Sequence, residues 1–138
     1  VLVSKPVPEL PSETVIITVE DTLLAYQQIA HAYRMSNKNL KVVAVTGSNG
    51  KTTTTTLTYE FLKEDNKPVH LGGNIGYPFS SLIESVKEND IIVLELSAQQ
   101  LHDFDDFKVN VAVLTNLTEV HLDHFKTYEY LDIKMKMM

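Results

Sequence analysis

The sequence predicts an α/β fold, a mostly parallel sheet flanked by helices, and three observations carry that prediction. Short, nearly continuous apolar runs at 41–46, 91–96 and 109–114 read as strands buried on both faces. Between them, at 51–64 and 79–87, apolar residues recur at helical spacing. Breakers such as Gly47, Gly50, Gly72, Gly73 and Pro78 stand where one period gives way to the other. Strands alternating with helices imply a parallel sheet that binds its ligands at the carboxyl ends of the strands.

Taken in order, residues 1–3 and 14–19 lie on either side of a loop holding Pro6, Pro8 and Pro11. Both are β-branched and bounded by breakers, so short buried strands are expected. Asp21 and Thr22 offer an N-cap to a helix over 23–33, whose Leu23, Tyr26, Ile29, Ala30 and Tyr33 recur at helical spacing. The polar stretch Ser36, Asn37, Lys38, Asn39 ends it and marks the best internal boundary, dividing the chain into 1–38 and 39–138. A strand at 41–46 and a helix at 51–64 follow, with Leu57, Phe61 and Leu62 expected against the sheet. Next come a strand at 69–71, a helix at 79–87, strands at 91–96 and 109–114, and a last helix at 128–138. Tyr26, Tyr33 and Phe61 are expected in the core.

Composition narrows the function. A chain of 138 residues with 43% apolar content can enclose a core. Eighteen acidic against twelve basic residues give a net charge of -6, without a basic patch, so neither nucleic acid nor an anionic membrane is expected as a partner. The absence of cysteine excludes disulfides and thiolate metal sites, leaving oxygen and imidazole as metal ligands. No apolar run approaches the roughly 20 residues that span a bilayer, and no secretory leader opens the sequence, so a cytoplasmic location is expected. A first residue that is not Met, and a final helix that reaches Met138 without a stop signal, predict a longer natural chain. A truncated sheet would leave an unpaired edge through which copies are expected to self-associate.

The sharpest local pattern is Thr46-Gly47-Ser48-Asn49-Gly50-Lys51-Thr52-Thr53, between a predicted strand and a predicted helix. There Gly47, Ser48, Asn49, Gly50, Lys51, Thr52 and Thr53 can cradle phosphates. Backbone N–H groups turn inward, the helix presents its positive end, Lys51 reaches the terminal phosphates and the Thr52 hydroxyl serves magnesium. The general pattern asks for a glycine at the position of Val45, so this is a shorter-spaced, P-loop NTPase-like variant. The alternative is a glycine-rich turn with no ligand. Glu95 ends an apolar strand whose carboxyl edge borders the cradle and reads as a carboxylate for magnesium, the alternative being a solvated strand end. Asp103, Asp105 and Asp106 read as a solvated loop, and His31, His70, His102 and His124 have no zinc-like spacing.

The loop Thr46-Gly47-x-x-Gly50-Lys51-Thr52-Thr53 resembles that of the Mur ligases and the related folylpolyglutamate synthases. Three further segments resemble the Mur family in the same order: Gly72-Gly73-Asn74-Ile75-Gly76, Glu95-Leu96-Ser97-Ala98-Gln99-Gln100-Leu101, and Thr115-Asn116-Leu117-Thr118-Glu119-Val120-His121-Leu122-Asp123. The first two are similar to segments of members that add D-glutamate. The likeness covers about the first two-thirds of a central ATPase domain. Upstream, Val3-Ser4-Lys5 and Val19-Glu20-Asp21-Thr22-Leu23 resemble the end of the UDP-substrate domain and the linker helix of members that add a diamino acid or a dipeptide.

This resemblance implies ATP and Mg2+ as cofactors, and a UDP-muramoyl substrate and an amino acid as partners. The carboxylate of UDP-N-acetylmuramoyl-L-alanine would be activated as an acyl phosphate and attacked by D-glutamate. It implies Lys51, Glu95, His121 and Lys134 as catalytic residues, with Thr52, Glu95, His121 and Lys134 at the metal, the lysine as a carbamate. Lys136 rivals Lys134, since the spacing from His121 is one residue shorter than the common pattern. Asn74, Ser97 and Gln100 are implied to contact substrate. Ala98 and Gln99 depart from the Ser and Phe of that segment, and Val120 replaces an aspartate. Other readings are a different Mur or folylpolyglutamate-type ligase, or a nucleotide-binding module without catalysis.

Overall fold

The computed structural model describes residues 1–6, 11–82, 84–102, 107–118 and 127–137, without the side chains of 127, 128 and 130. The chain divides into two compact units, Val1–Lys38 and Asn39–Met138.

In the first unit, β1 (Leu2–Val3) and β2 (Ile17–Thr18) pair in parallel, and α1 (Thr22–Ser36) follows. Asp21 closes the helix start. Its backbone is extended, and its carboxylate accepts from the N–H of Leu23 at 2.8 Å and of Leu24 at 3.0 Å. Burial does not follow the expectation. Val15 is 74% exposed and Ile17 50%, and Tyr26 and Tyr33, expected in the core, are exposed on a helix with no buried residue. Two two-residue strands and one helix are too little chain to enclose a hydrophobic interior.

The second unit runs β3 (Lys41–Thr46), α2 (Lys51–Glu64), β4 (Val69–Gly73), α3 (Phe79–Leu82), β5 (Ile91–Glu95), α4 (Ala98–His102), β6 (Val111–Leu114), α5 (Thr127–Met135). Its four strands lie in the order β4-β5-β3-β6, each pair parallel, with Ala44 opposite Leu94 on one side and Ala112 on the other. Because side chains alternate across a strand, the sheet has two distinct faces. On one, Val42, Ala44, Ile92 and Leu94 form the core with Leu82 of α3, Ala98 and Leu101 of α4, and Ile133 of α5. The opposite face, carrying Val45 and Val93, takes α2, which packs on β3, β4 and β5. The predicted parallel α/β sheet is the observed one.

Three expectations need correction here. On α2 the buried residue is Thr55, while Leu57 and Phe61 are exposed, Phe61 at 69%. Threonines can line the inner face because their hydroxyls bond back along the helix, Thr55 to the Lys51 carbonyl and Thr58 to the Thr54 carbonyl, both at 2.8 Å. Of the helix expected over 79–87, Phe79–Leu82 is helical and residues 84–87 are not. There the Ser85 hydroxyl bonds the Leu82 carbonyl at 2.9 Å, and Asp90 accepts from the Lys87 N–H at 2.9 Å, bending the chain into β5. Helix α4, for which no helix was expected, is nucleated by Ser97 and Gln100 as described below.

At the amino ends of β4 and β5, Asp90 also meets His70 at 2.7 Å. Burial pushes the Asp90 carboxyl up. The Lys87 N–H, the His70 contact and the charges of His70 and Lys87 outweigh it and hold the group below its ordinary 3.8.

Candidate functional site

Parallel strands place every following turn at one edge, so the segments after β3, β4, β5 and β6 emerge together. The connection leaving β3 passes over β5 to reach β4, and the one leaving β5 passes over β3 to reach β6. Neighbouring β3 and β5 therefore send their chains in opposite directions, which opens a crevice between their carboxyl ends. The phosphate-loop pattern leaves β3 at this crevice, and Glu95 closes β5 beside it.

Within the loop, Gly47 has φ +146, and a Cβ there would overlap the Thr115 hydroxyl, so neither conformation nor space admits a side chain. Gly50 sits in the left-handed region at φ 75 and starts α2 with no side chain capping the helix. The first amides of α2 consequently face outward with the positive end of the helix dipole. Lys51 folds back, its Nζ donating to the carbonyls of Gly47 at 3.0 Å and Ser48 at 3.4 Å. Thr53 is exposed in the same first turn.

Across the crevice Glu95 is almost fully buried at 2% exposure. Burying a carboxylate requires donors. The Thr52 hydroxyl gives one to Oε2 at 2.8 Å, and the Asn74 amide gives another to Oε1 at 3.3 Å. The Asn74 N–H also donates to the Glu95 carbonyl at 2.8 Å, tying the turn after β4 to the end of β5. Lys51, Thr52, Asn74 and Glu95 are thus brought to one place. Ser97 and Gln100 bond reciprocally instead, the Ser97 N–H to Gln100 Oε1 at 3.0 Å and the Gln100 N–H to Ser97 Oγ at 3.2 Å, a box that fixes the start of α4.

Sequence reasoning gave the segment after β6 a family likeness and a role for His121, but none for Thr115, Asn116 or Thr118, yet these residues hold the loop. The Ser48 N–H donates to the Asn116 carbonyl at 3.1 Å, and the Asn49 N–H to Asn116 Oδ1 at 2.9 Å. The Asn116 amide and the Thr115 hydroxyl return bonds to the Asn49 carbonyl at 3.1 and 2.6 Å. Ser48 Oγ and the Thr118 backbone exchange two more. The available signal was a run of polar residues directly after a buried strand, at the edge where a parallel sheet gathers its turns.

The two rival lysines occupy different surroundings. Lys134 is 1% exposed, and its Nζ donates to the Thr46 hydroxyl at 3.3 Å, which itself donates to the Leu96 carbonyl at 2.8 Å. Lys136 is exposed and donates to the His102 carbonyl at 2.8 Å. His121, Asp123 and His124 lie outside the described residues, as does the acidic cluster at 103, 105 and 106. Among the described residues no group of three or more His, Asp or Glu side chains gathers.

With a phosphate-type loop, a buried carboxylate at the switch point and a family-like turn at Asn74 in one crevice, comparison with known proteins becomes decisive. The model of the Mur ligase middle domain matches residues 45–138. The chain belongs to the Mur ligase family. It is similar to the UDP-N-acetylmuramoylalanine–D-glutamate ligase of Geotalea uraniireducens, 50% identical over 97 residues, covering 70% of this chain and 21% of the relative. The ligase of the same name from Thermoanaerobacter sp. is 38% identical over 134 residues, 96% of this chain and 29% of that one. Among solved structures, the MurF ligase of Thermotoga maritima in complex with ADP superimposes with a TM-score of 0.71 at 28% identity, covering 98% of this chain and 33% of its own. The chain therefore spans between about a fifth and a third of the length of these Mur ligases.

Proposed function

We propose that the parent protein is an ATP-dependent carboxylate–amine ligase of peptidoglycan precursor synthesis, acting in the cytoplasm. It phosphorylates the carboxylate of UDP-N-acetylmuramoyl-L-alanine, and D-glutamate attacks the resulting acyl phosphate to form the amide, ADP and phosphate. Residues 39–138 are part of its ATP-binding central domain, and 1–38 are the end of its UDP-substrate domain and the linker helix. The observation that carries the reading is the Thr52 hydroxyl on the Glu95 carboxylate at 2.8 Å, at the uncapped start of α2. The names of the two D-glutamate ligases support the choice of amine.

In this reading Lys51 leaves the Gly47 and Ser48 carbonyls for the terminal phosphates, while the amides of the loop and the first turn of α2 bind their oxygens. Thr52 and Glu95 supply a hydroxyl and a carboxylate, a hard-oxygen donor set that fits magnesium. Bound there, the ion neutralises charge on the phosphates during transfer. Asn74 holds Glu95 in place and, with Ser97 and Gln100, faces the muramoyl substrate. His121 serves a second magnesium. Lys134 is the lysine that becomes a carbamate, a choice over Lys136 supported by its burial beside Thr46.

Calorimetric titration of Mg-ATP into the chain, beside Lys51→Ala, tests the cradle. Saturable binding that disappears in the variant is the expected result, whereas binding of equal strength in both would sink the assignment of Lys51. The full-length protein then decides the amine. Ligation of D-glutamate in preference to a diamino acid or a dipeptide is expected. Preference for a dipeptide would favour the second reading, a different Mur ligase, which the likeness to the MurF ligase of Thermotoga maritima supports.

A further inference from the structure

We propose that Asn49 and Gly50 form a self-modification site, where the Asn49 side-chain amide converts without an enzyme to aspartate and isoaspartate. The chemistry is a ring closure. The backbone nitrogen of the following residue loses its proton and attacks Cγ of the asparagine, and the bond from Cγ to Nδ2 breaks to release ammonia. Water then opens the cyclic imide at either carbonyl, so the net change is asparagine plus water giving acid plus ammonia. Three conditions favour it: a following residue without a side chain, an asparagine amide not held elsewhere, and a polarised backbone N–H.

Of the eight asparagines in the chain, Asn49 alone precedes a glycine. It is exposed, and its side-chain amide makes no hydrogen bond among the described residues. Other asparagine side chains are engaged, Asn37 with the Tyr33 carbonyl, Asn39 with Glu88, Asn74 with Glu95 and Asn110 with the Val42 N–H. Thr115 and Asn116 anchor only the Asn49 backbone, leaving the side chain to rotate. A Cβ built at Gly50 meets nothing within 4 Å, so no neighbouring group crowds the residue whose nitrogen attacks. Gly50 also stands at the positive end of the 14-residue α2 with no side chain capping it, and that field favours an amide nitrogen that has lost its proton.

Conversion would put a carboxylate, and in the isoaspartyl product an extra backbone carbon, into the loop at the point meant for an anion. The new charge satisfies the helix end and repels phosphate. A bound phosphate that occupies the Gly50 N–H would slow the reaction. That protection rests on the proposed function, while the conversion does not.

The folded chain is held at mildly alkaline pH and digested with trypsin at intervals. Cleavage after Lys41 and Lys51 releases residues 42–51, whose lone asparagine is Asn49. Expected is loss of the unmodified 42–51 peptide, replaced by two products with the mass gain of an amide-to-acid change, one of them labelled by isoaspartate methyltransferase. Peptides carrying Asn89 and Asn110 keep their amides over the same period, and Asn49→Gln, which lengthens the ring, abolishes the gain. An amide at Asn49 that persists as long as those at Asn89 and Asn110 would overturn the proposal. In a parallel arm with Mg-ATP, an unchanged rate under saturating binding overturns the protection. Absence of Mg-ATP binding refutes nucleotide binding by this chain on its own, and with it the protection, and leaves the conversion to be judged by the first arm.

Discussion

Helices α1 and α2 have nearly the same length, 15 and 14 residues, and begin in opposite ways. Asp21 closes α1 by accepting two of its first amides, whereas α2 begins on a left-handed glycine with no side-chain cap. The first N–H groups of a helix demand partners, so a helix left open beside a lysine and a buried carboxylate has donors that a bound anion could satisfy. What steadies α2 instead of a cap is tertiary: the Thr52–Glu95 bond and the loop clamp from Thr115, Asn116 and Thr118. The comparison separates a helix start that closes local structure from one kept receptive by the surrounding fold.

The largest effect is expected where the open start is used. Lys51→Ala is predicted to lower the full-length ligase rate on the order of 10³-fold, as removal of a transition-state charge partner does, with stability shifted by no more than about 0.5 kcal/mol. Steady-state kinetics beside chemical denaturation measures both. Gly47→Ala attacks the same helix start through its backbone. A side chain at φ +146, overlapping the Thr115 hydroxyl, is predicted to cost about 3 kcal/mol and to weaken nucleotide binding as well, so a variant of native stability would contradict the clamp.

At the far edge of the sheet, Asp90→Asn is predicted to cost about 2 kcal/mol through weakened bonds to Lys87 and His70. It is expected to leave nucleotide affinity intact, the control for damage at a distance. The pH dependence follows from the sign of the shift. With the Asp90 carboxyl held below 3.8, its contribution is fully present above that value and is lost as pH falls through the lower folded one. Wild type is therefore expected to shed this stability in acid, and Asp90→Asn to show a shallower acid limb in denaturation followed against pH. The smallest effect belongs to α1. Asp21→Ala is predicted to cost about 1 kcal/mol of helix stability with no change in Mg-ATP titration.

Much of the architecture was legible because local chemistry dictated it. Continuous apolar runs identified β3, β5 and β6, and the loop pattern ahead of Lys51 located the start of α2. Elements set by competition between neighbours were read less well. The helix expected over 79–87 lost to turn bonds around Ser85 and Asp90, and α4 arose from the reciprocal bonding of Ser97 and Gln100. Apolar spacing misplaced Leu57 and Phe61 on α2, since it takes no account of hydroxyls that satisfy themselves along the helix.

The chain's own pattern was enough for a parallel α/β sheet and a phosphate-type loop between β3 and α2, because periodicity and glycine placement act over a few residues. That Thr52 and Asn74 meet on the Glu95 carboxylate, that Asn116 holds the loop from 67 residues away, and that Lys134 is buried while Lys136 is exposed were decided only by folding. Strand order determines which turns become neighbours across a parallel sheet, and strand order is a property of the packed whole.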